Sequence, residues 1–468
     1  MMNFAKGDTR LVLKQDQVIT GQNNGSLVID SQRTRPYWFD GRFLAARDLQ
    51  REQDYFLQRQ ADLGQAAGFG VLHGLTVELP SGSGGPVNAD AVTIGAGQGV
   101  TPSGEIVMLP YNLTIRLSDL PEERNLNQRF NLLSLPNTPA RTRTGVYMLA
   151  LRPVEFTANP ITSYPTSIDG TRTTQDGDIV EATAVALVPY PSPISWTRAS
   201  NQDSMQLRSS LARQIFLNTA EGGAGSDSML PLALVYLQRD VITWIDPWLV
   251  RRDSGPEYSG MRLGLTDPAK QRAFLMQYDA QLQETVQARI TSGGSLSFAA
   301  ADLFQALPPA GRFPLASLGI ASQSTTQTFT QSFFPQQMDV RLSVIPMDEI
   351  PALVEDSQSL PPIDLTLPPS AFNDLTVFAL VPVPRDGFAA LKKSLPTLSP
   401  NPVLPRVLSF RTPIELLRLY QGAIHVTLPT LQQNSAWLNA IGSQTYGFYT
   451  RARSSPAYVS FATNPLPS

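Results

Sequence analysis

Tyr37-Trp38-Phe39-Asp40-Gly41-Arg42-Phe43-Leu44 leads, three residues later, into Asp48-Leu49-Gln50-Arg51-Glu52-Gln53-Asp54-Tyr55-Phe56, and from Gly68 the chain turns to short glycine-spaced apolar segments. Leu49, Phe56 and Leu63 recur every seven residues, with Gln53 and Gln60 four after the first two. That spacing predicts an amphipathic helix with a two-heptad seam, opened near Arg47 or at Asp48 and ended by Gly64, Gly68 and Gly70. The same spacing suits a surface helix lying on its own domain, and both readings stay open. Downstream, Val71 to Glu78, Ala91 to Ile94, Gly104 to Leu109, Asn112 to Leu117, Tyr147 to Leu151 and Ala182 to Val188 read as short strands separated by turn residues. Strands at that spacing argue for a β-sandwich.

Working outward, residues 1–36 read as an irregular arm with strand-like pieces at Leu11 to Leu13 and Ser26 to Ile29. Residues 159–178 and 219–229, rich in Pro, Thr, Ser, Asp and Gly, read as long loops. Asp203 to Asn218 has helical spacing, and Met229 to Gln238 is an apolar run expected to be a buried strand. Asp267-Pro268 starts a helix with Asp at the N-cap and Pro at N1, and Gly293-Gly294 stops it. Leu296 to Leu307 is a second, shorter helical candidate, followed by a linker to Gln337. Beyond it prolines break every long element; a helix at Glu349 to Ser357, a strand at Leu375 to Val381 and a last helix at Thr412 to Gln421 are expected. The chain therefore reads as α+β, mainly β. Its expected parts are a β-sandwich shoulder over 1–255 with an arm and one amphipathic helix, a helical segment and linker over 256–336, and a small α/β head over 337–468.

With 468 residues the chain exceeds one ordinary core. Charged residues make up 16%, against about 25% in an average chain, and Gln, Asn, Ser and Thr take their place. Such a lightly charged surface suits burial against other subunits. The net charge of −3 leaves no footprint for nucleic-acid binding. There is no cysteine, which removes disulfides, thiolate metal sites and Cys nucleophiles. No apolar run reaches the ~18–20 residues of a membrane span, and none near Met1 resembles a secretory signal peptide. The expectation is a protein free in the cytoplasm or one that leaves the cell by another route.

Candidate chemistry is sparse. His73 and His425 are the two histidines, and a shared metal site would have to join opposite ends of the chain; structural roles are expected. No Gly-x-Ser-x-Gly elbow marks a nucleophile. Gly95-Ala96-Gly97-Gln98-Gly99 lacks the Gly-Lys-Ser/Thr ending of a phosphate loop and is expected to be a hairpin turn. No catalytic, cofactor or metal residue is therefore assigned. The assembly candidates are Trp38, Phe39, Asp40, Phe43, Leu44, Leu49, Gln53, Phe56 and Leu63. Trp244, Trp248, Arg251 and Arg252 are a second set, either core packing with snorkelling arginines or an interface hot spot.

Four motifs in order resemble proteins of phage-tail-like contractile injection systems: Trp38-Phe39-Asp40-Gly41-Arg42-Phe43-Leu44, then Asp48-Leu49-Gln50-Arg51-Glu52-Gln53-Asp54-Tyr55, then Gly68-Phe69-Gly70-Val71-Leu72-His73-Gly74-Leu75-Thr76-Val77, then Gly97-Gln98-Gly99-Val100-Thr101-Pro102-Ser103-Gly104. The layout is similar to the N-terminus of the TssK family of type VI secretion baseplate subunits. Met338 to Pro346 and Ser357 to Pro362 are similar in order and spacing. Asp40 and Phe69 stand where that family has Glu and Trp, and Asp48-Leu49-Gln50 stands where it has Pro-Gln-His-Phe. The resemblance implies a non-enzymatic structural subunit, a homotrimer, whose shoulder holds the baseplate wedge proteins and whose head reaches a membrane anchor, fibre or cage component. It implies a place in the bacterial cytoplasm within a contractile assembly, or in a released phage-like particle. A tail fibre or receptor-binding adhesin is the alternative, and needs an exposed pocket or aromatic platform in the C-terminal part.

Overall fold

The computed structural model describes residues 14–23, 26–27, 34–80, 90–120, 143–163, 171–190, 201–217, 228–254, 268–323, 326–394, 424–425 and 444–451. Helix α1 (Gln15–Asn23) precedes α2 (Ala46–Ala67), and six short strands follow: β1 (Gly70–Gly74), β2 (Val77–Glu78), β3 (Ala91–Ile94), β4 (Gly97–Val100), β5 (Ile106–Leu109) and β6 (Leu113–Arg116). They form two three-stranded antiparallel sheets, ordered β1-β4-β5 and β2-β3-β6. The chain continues through β7 (Gly145–Ser163), β8 (Thr173–Pro189), α3 (Asn201–Leu217), β9 (Leu230–Gln238) and β10 (Val241–Asp246). These four strands make an antiparallel sheet ordered β10-β9-β7-β8.

Alternation along β7 explains the layering. Tyr147, Leu149 and Leu151 face the two small sheets and pack with Val71, Ile94, Val107 and Leu117. Val146, Met148 and Ala150 point the other way, onto Leu207, Leu211 and Phe216 of α3 and onto Ala273 and Phe274 of α4 (Pro268–Ser292). The central sheet is thus covered on both faces, by strands on one side and helices on the other. Strand β9 contributes to both cores, which is why its sequence is apolar throughout rather than alternating.

Further along α4, Tyr278, Leu282 and Val286 enter the core of the C-terminal part. There β11 (Ala306–Leu307), β12 (Ala310–Pro314), β13 (Leu318–Gln323), β14 (Thr326–Gln331), β15 (Asp339–Pro346), α5 (Ile350–Ser357), β16 (Ile363–Asp364), β17 (Thr376–Val383), α6 (Arg385–Ser394), β18 (Ile424–His425) and β19 (Tyr446–Arg451) follow in order. Five of these strands form a sheet ordered β12-β19-β17-β15-β18, with β15 and β17 parallel. Helix α5 packs on it through Ile350 and Leu353 against Ile345 and Leu380. The core of this sheet draws Phe313, Leu315 and Phe333 from before residue 337 and Val377, Val381 and Tyr449 from after it.

The fold is α+β with strand slightly prevailing. Several local expectations change. Residues 159–163 and 173–178 are not loop: they are the outer reach of a long β7–β8 ribbon, whose Pro160 and Gly177 mimic loop composition. Leu296 to Leu307 is not a helix. Its backbone bonds go elsewhere, Ala300 N–H to Phe333 O at 2.8 Å and Ser297 N–H to Ser295 Oγ at 3.1 Å, and a single 3₁₀ turn at Ala300–Asp302 remains. The Gly95–Gly99 stretch is not a hairpin turn either. β3 and β4 lie in different sheets, so the chain changes sheet at this corner. The expected helix at Thr412 to Gln421 and the strand-like piece at Leu11 to Leu13 lie outside the described residues, as do Val28 and Ile29 of the piece at Ser26 to Ile29.

Candidate assembly surface

Helix α2 starts at Ala46, beside the expected opening at Arg47, and its N-cap is Ala45, without a side-chain cap, rather than Asp48. Asp48 sits in the first turn and is committed to another task. Arg42 donates from Nη2 to Asp48 Oδ1 at 2.7 Å and from Nη1 to the Tyr37 carbonyl at 2.5 Å. Its guanidinium lies 4.9 Å from the Trp38 ring centre, and Trp38 Nε1 donates to Glu52 Oε2 at 3.3 Å. Gly41, at φ +90°, makes the turn that lets Arg42 reach back. The polar members of the motif therefore form a clasp that fixes the loop against the first two turns of α2.

The apolar members are left outside it. Phe43 is 90% exposed and Tyr37 78%, with Phe39 and Leu44 at 59% and 57%. Along α2 the seam residues Leu49, Phe56 and Leu63 are exposed too, and Leu57 widens the stripe. Gln53 lies exposed between Leu49 and Phe56, and Asp40 is exposed in the turn. Trp38, half covered by Arg42, completes the nine predicted residues on one loop–helix unit. Within the helix, Asp48 is the residue that is buried. A 22-residue helix whose apolar stripe meets water is not accounted for by its own propensity; such helices normally gain their stability by packing that stripe.

The root of α2 is held tightly. Gly64 and Gly104 leave room for direct backbone approach: a Cβ on Gly64 would run into the Gly104 carbonyl, and one on Gly104 into the Ala61 carbonyl. Gln65 Nε2 donates to Ser103 O at 3.0 Å. Ser254 Oγ donates to Gly68 O at 2.8 Å, and Val71 N–H to Arg252 O at 2.7 Å. Arg251 donates to the carbonyls of Leu75 and Gly74 at 2.7 and 3.0 Å while pairing with Asp253 at 3.0 Å.

The second predicted set therefore divides. Trp244 is core: it is 6% exposed, stacks on Tyr236 and donates to Ser204 O. Arg251 is an internal clamp on the strand following α2, and Arg252 donates to the Arg251 carbonyl. Trp248 lines a cleft of about 90 Å³ with Arg272 and Met276. Core packing explains Trp244 because its strand, β10, belongs to the central sheet.

One buried constellation escaped the sequence reading. Arg208 of α3, 1% exposed, donates to Asp246 Oδ2 at 2.5 Å and to Glu284 Oε2 at 2.6 Å. Gln277 Nε2 donates to Asp246 Oδ2 at 3.2 Å. Burial works against the Arg208 charge, but the two carboxylates outweigh it and hold its pKa above the usual value. These residues come from α3, β10 and α4, so they tie both cores to one spine. Arg213 of α3 adds a bidentate pair to Asp364 of β16, at 2.9 and 2.7 Å. Arg208 was visible as a lone cation among Met205, Leu207 and Leu211, but its partners lie 38 and 76 residues away.

Among the described residues no group of three or more His, Asp or Glu is placed to hold a metal ion, and no helix is long and apolar enough to cross a membrane. Among the described residues after 296 the exposed large hydrophobics are Met347 and Leu367. No protein-family model matches the chain, and neither does any curated protein.

Proposed function

We propose that this chain is a non-enzymatic structural subunit of the baseplate of a contractile injection system, phage-tail-like or type VI-like, that associates with itself, as a trimer, through the 37–67 unit. The observation that carries the reading is the exposed ridge from Phe43 to Leu63 on a loop clasped by Arg42, Asp48 and Glu52. Spending four polar contacts on holding apolar side chains in water makes sense where those side chains meet another surface. Burying Phe43, Leu44, Leu49, Phe56 and Leu63 contributes on the order of 1–2 kcal/mol each. The Gln layers at 53 and 60 would set register at the expense of affinity. The family resemblance, concentrated over residues 37–104, supplies the contractile-system context, the wedge proteins as neighbours of the shoulder, and a membrane anchor, fibre or cage component at the head.

The test is recovery of sheathed particles from producing cells carrying wild type or Phe43→Ser/Phe56→Ser. The wild-type chain is expected at fixed stoichiometry to tube and sheath proteins, and the variant is expected to be soluble, folded and absent from particles. Wild-type chain absent from purified particles, or variant present at wild-type stoichiometry, would overturn the reading.

A further inference from the structure

Beyond Arg152 and Ala184 the β7–β8 ribbon leaves the body of the molecule. Its pairing continues from Pro153↔Thr183 to Ser163↔Thr173, a reach of roughly 35 Å at about 3.3 Å per residue. No residue of 153–163 or 173–184 is buried. A two-stranded ribbon wet on both faces is marginal on its own, so this one is either a passive extension or a surface awaiting a partner.

Its composition favours the second. Phe156, Ile161 and Ile179 are 53%, 60% and 67% exposed. The same two segments hold Glu155, Asp176, Asp178 and Glu181 and no Lys or Arg. Glu155 and Glu181 are direct cross-strand partners, a like-charge arrangement that weakens a ladder. Thr157 Oγ1 donates to Asp176 at 2.5 Å and Asn159 Nδ2 to Asp178 at 2.6 Å, yet none of the four carboxylates has an ion pair among the described residues. At the ribbon's base, burial raises the pKa of Glu105, and the charges of Glu155 and Glu181 raise it further. Asn159, at φ +58°, opposes Gly177, where a Cβ would stand 3.1 Å from both the Asn159 carbonyl and Ile161 Cγ2. This bend lays Ile161 across the ribbon.

We propose that the ribbon is a docking arm for a different polypeptide, one that offers an apolar slot for Ile161 and Ile179, rimmed by Arg or Lys facing Glu155 and Glu181 on the same face of the ribbon. The ribbon of a second copy is a poor occupant, because it brings the same four negative charges. A basic partner removes the Glu155–Glu181 repulsion and covers the apolar side chains in one contact. The inference goes beyond self-assembly through α2 and does not depend on it.

The test places a photoreactive phenylalanine analogue at Ile161 or Ile179 of the full chain in its native host. The expected product is a cross-link to one other polypeptide through an Arg/Lys-rich peptide. With that polypeptide purified, E155K/E181K is expected to weaken binding about tenfold or more, and reversing the partner's basic residues to Glu to restore it. I161S/I179S should also weaken it, at unchanged charge. Cross-links between copies only, a partner peptide without basic residues, no cross-link at all, or failure of the charge swap to restore binding would each overturn the proposal. Thermal melts of each variant at the wild-type temperature are expected, since the arm lies outside every core.

Discussion

Residues 37–67 and 68–104 sit side by side in the sequence and do opposite things. In the first, aromatic and aliphatic side chains face water while polar groups hold the backbone in shape. In the second, side chains are removed altogether so that backbones can touch: Gly74 against Ala96, Gly97 against His73 and Leu75, Gly99 against Gly70. The glycine half is read by its own fold, since each glycine permits an approach that a Cβ would block. The exposed apolar side chains of the aromatic half satisfy nothing in their own fold. A motif running through both therefore carries two constraints, one on folding and one on meeting a partner, and they separate by mutation.

Gly97→Val should show the largest effect. Its side chain would collide with the His73 carbonyl and with Leu75 N at the corner where the chain changes sheet, and Gly74, at φ +64°, cannot move away freely. A loss on the order of 3–5 kcal/mol is expected in urea denaturation, or no soluble protein. Next comes Arg208→Ala, which strands Asp246 at 0% exposure without its cation. A loss of about 3 kcal/mol or more is expected, with both halves of the molecule unfolding earlier together, because α4 enters both cores and Arg208 ties α3 to it through Glu284.

A smaller effect is expected from acid. Burial alone would raise the Asp364 pKa, but hydrogen bonds from Arg213 and Thr366 outweigh it and hold it below the usual value. A depressed carboxylate contributes stability above its unfolded pKa and loses it as pH falls through the folded one. The partly exposed Arg213–Asp364 pair should contribute about 1 kcal/mol or less. Asp364→Asn should therefore lower stability by about 1 kcal/mol or less near neutrality and flatten the acid limb, with the two profiles converging as pH falls through the folded pKa; an unchanged acid limb would show that the pair is idle. The smallest effect on monomer stability, within about 0.5 kcal/mol, is expected for Phe43→Ser, whose side chain touches almost nothing of its own chain.

Local patterns were legible in the sequence, and non-local ones were not. The seven-residue recurrence located α2, the apolar run located β9, and Asp267-Pro268 with Gly293-Gly294 bracketed α4. The nine seam and motif residues are all exposed on a single loop–helix unit, within which sequence spacing places them. What failed depended on partners far along the chain. Nothing near Gly95 says that β3 and β4 join different sheets. The Trp244–Arg252 segment left core packing and an interface both open, and what decides between them, Tyr236 beside Trp244 and the Gly74–Leu75 carbonyls at Arg251, is not adjacent to it in sequence. Pro160 and Gly177 made a ribbon look like loop because each sits at its bend. The division at residue 337 also has a physical consequence. Removing 337–468 would strip β19 and β17 from β12 and open the core around Phe313, so a truncation testing the head's role must respect that sheet.

The central claim is that the ridge on α2 is an interface between copies and not part of the monomer's core. Sedimentation velocity over a range of concentrations, run beside a denaturation curve, tests it for wild type and Leu49→Ser/Phe56→Ser/Leu63→Ser. The account predicts concentration-dependent association of the wild-type chain to a trimer, and a triple variant that stays monomeric with the unfolding midpoint of the wild-type chain at concentrations where that chain is monomeric. A wild-type chain that remains monomeric at every concentration, or a variant that unfolds far earlier than the monomeric wild type, would contradict it.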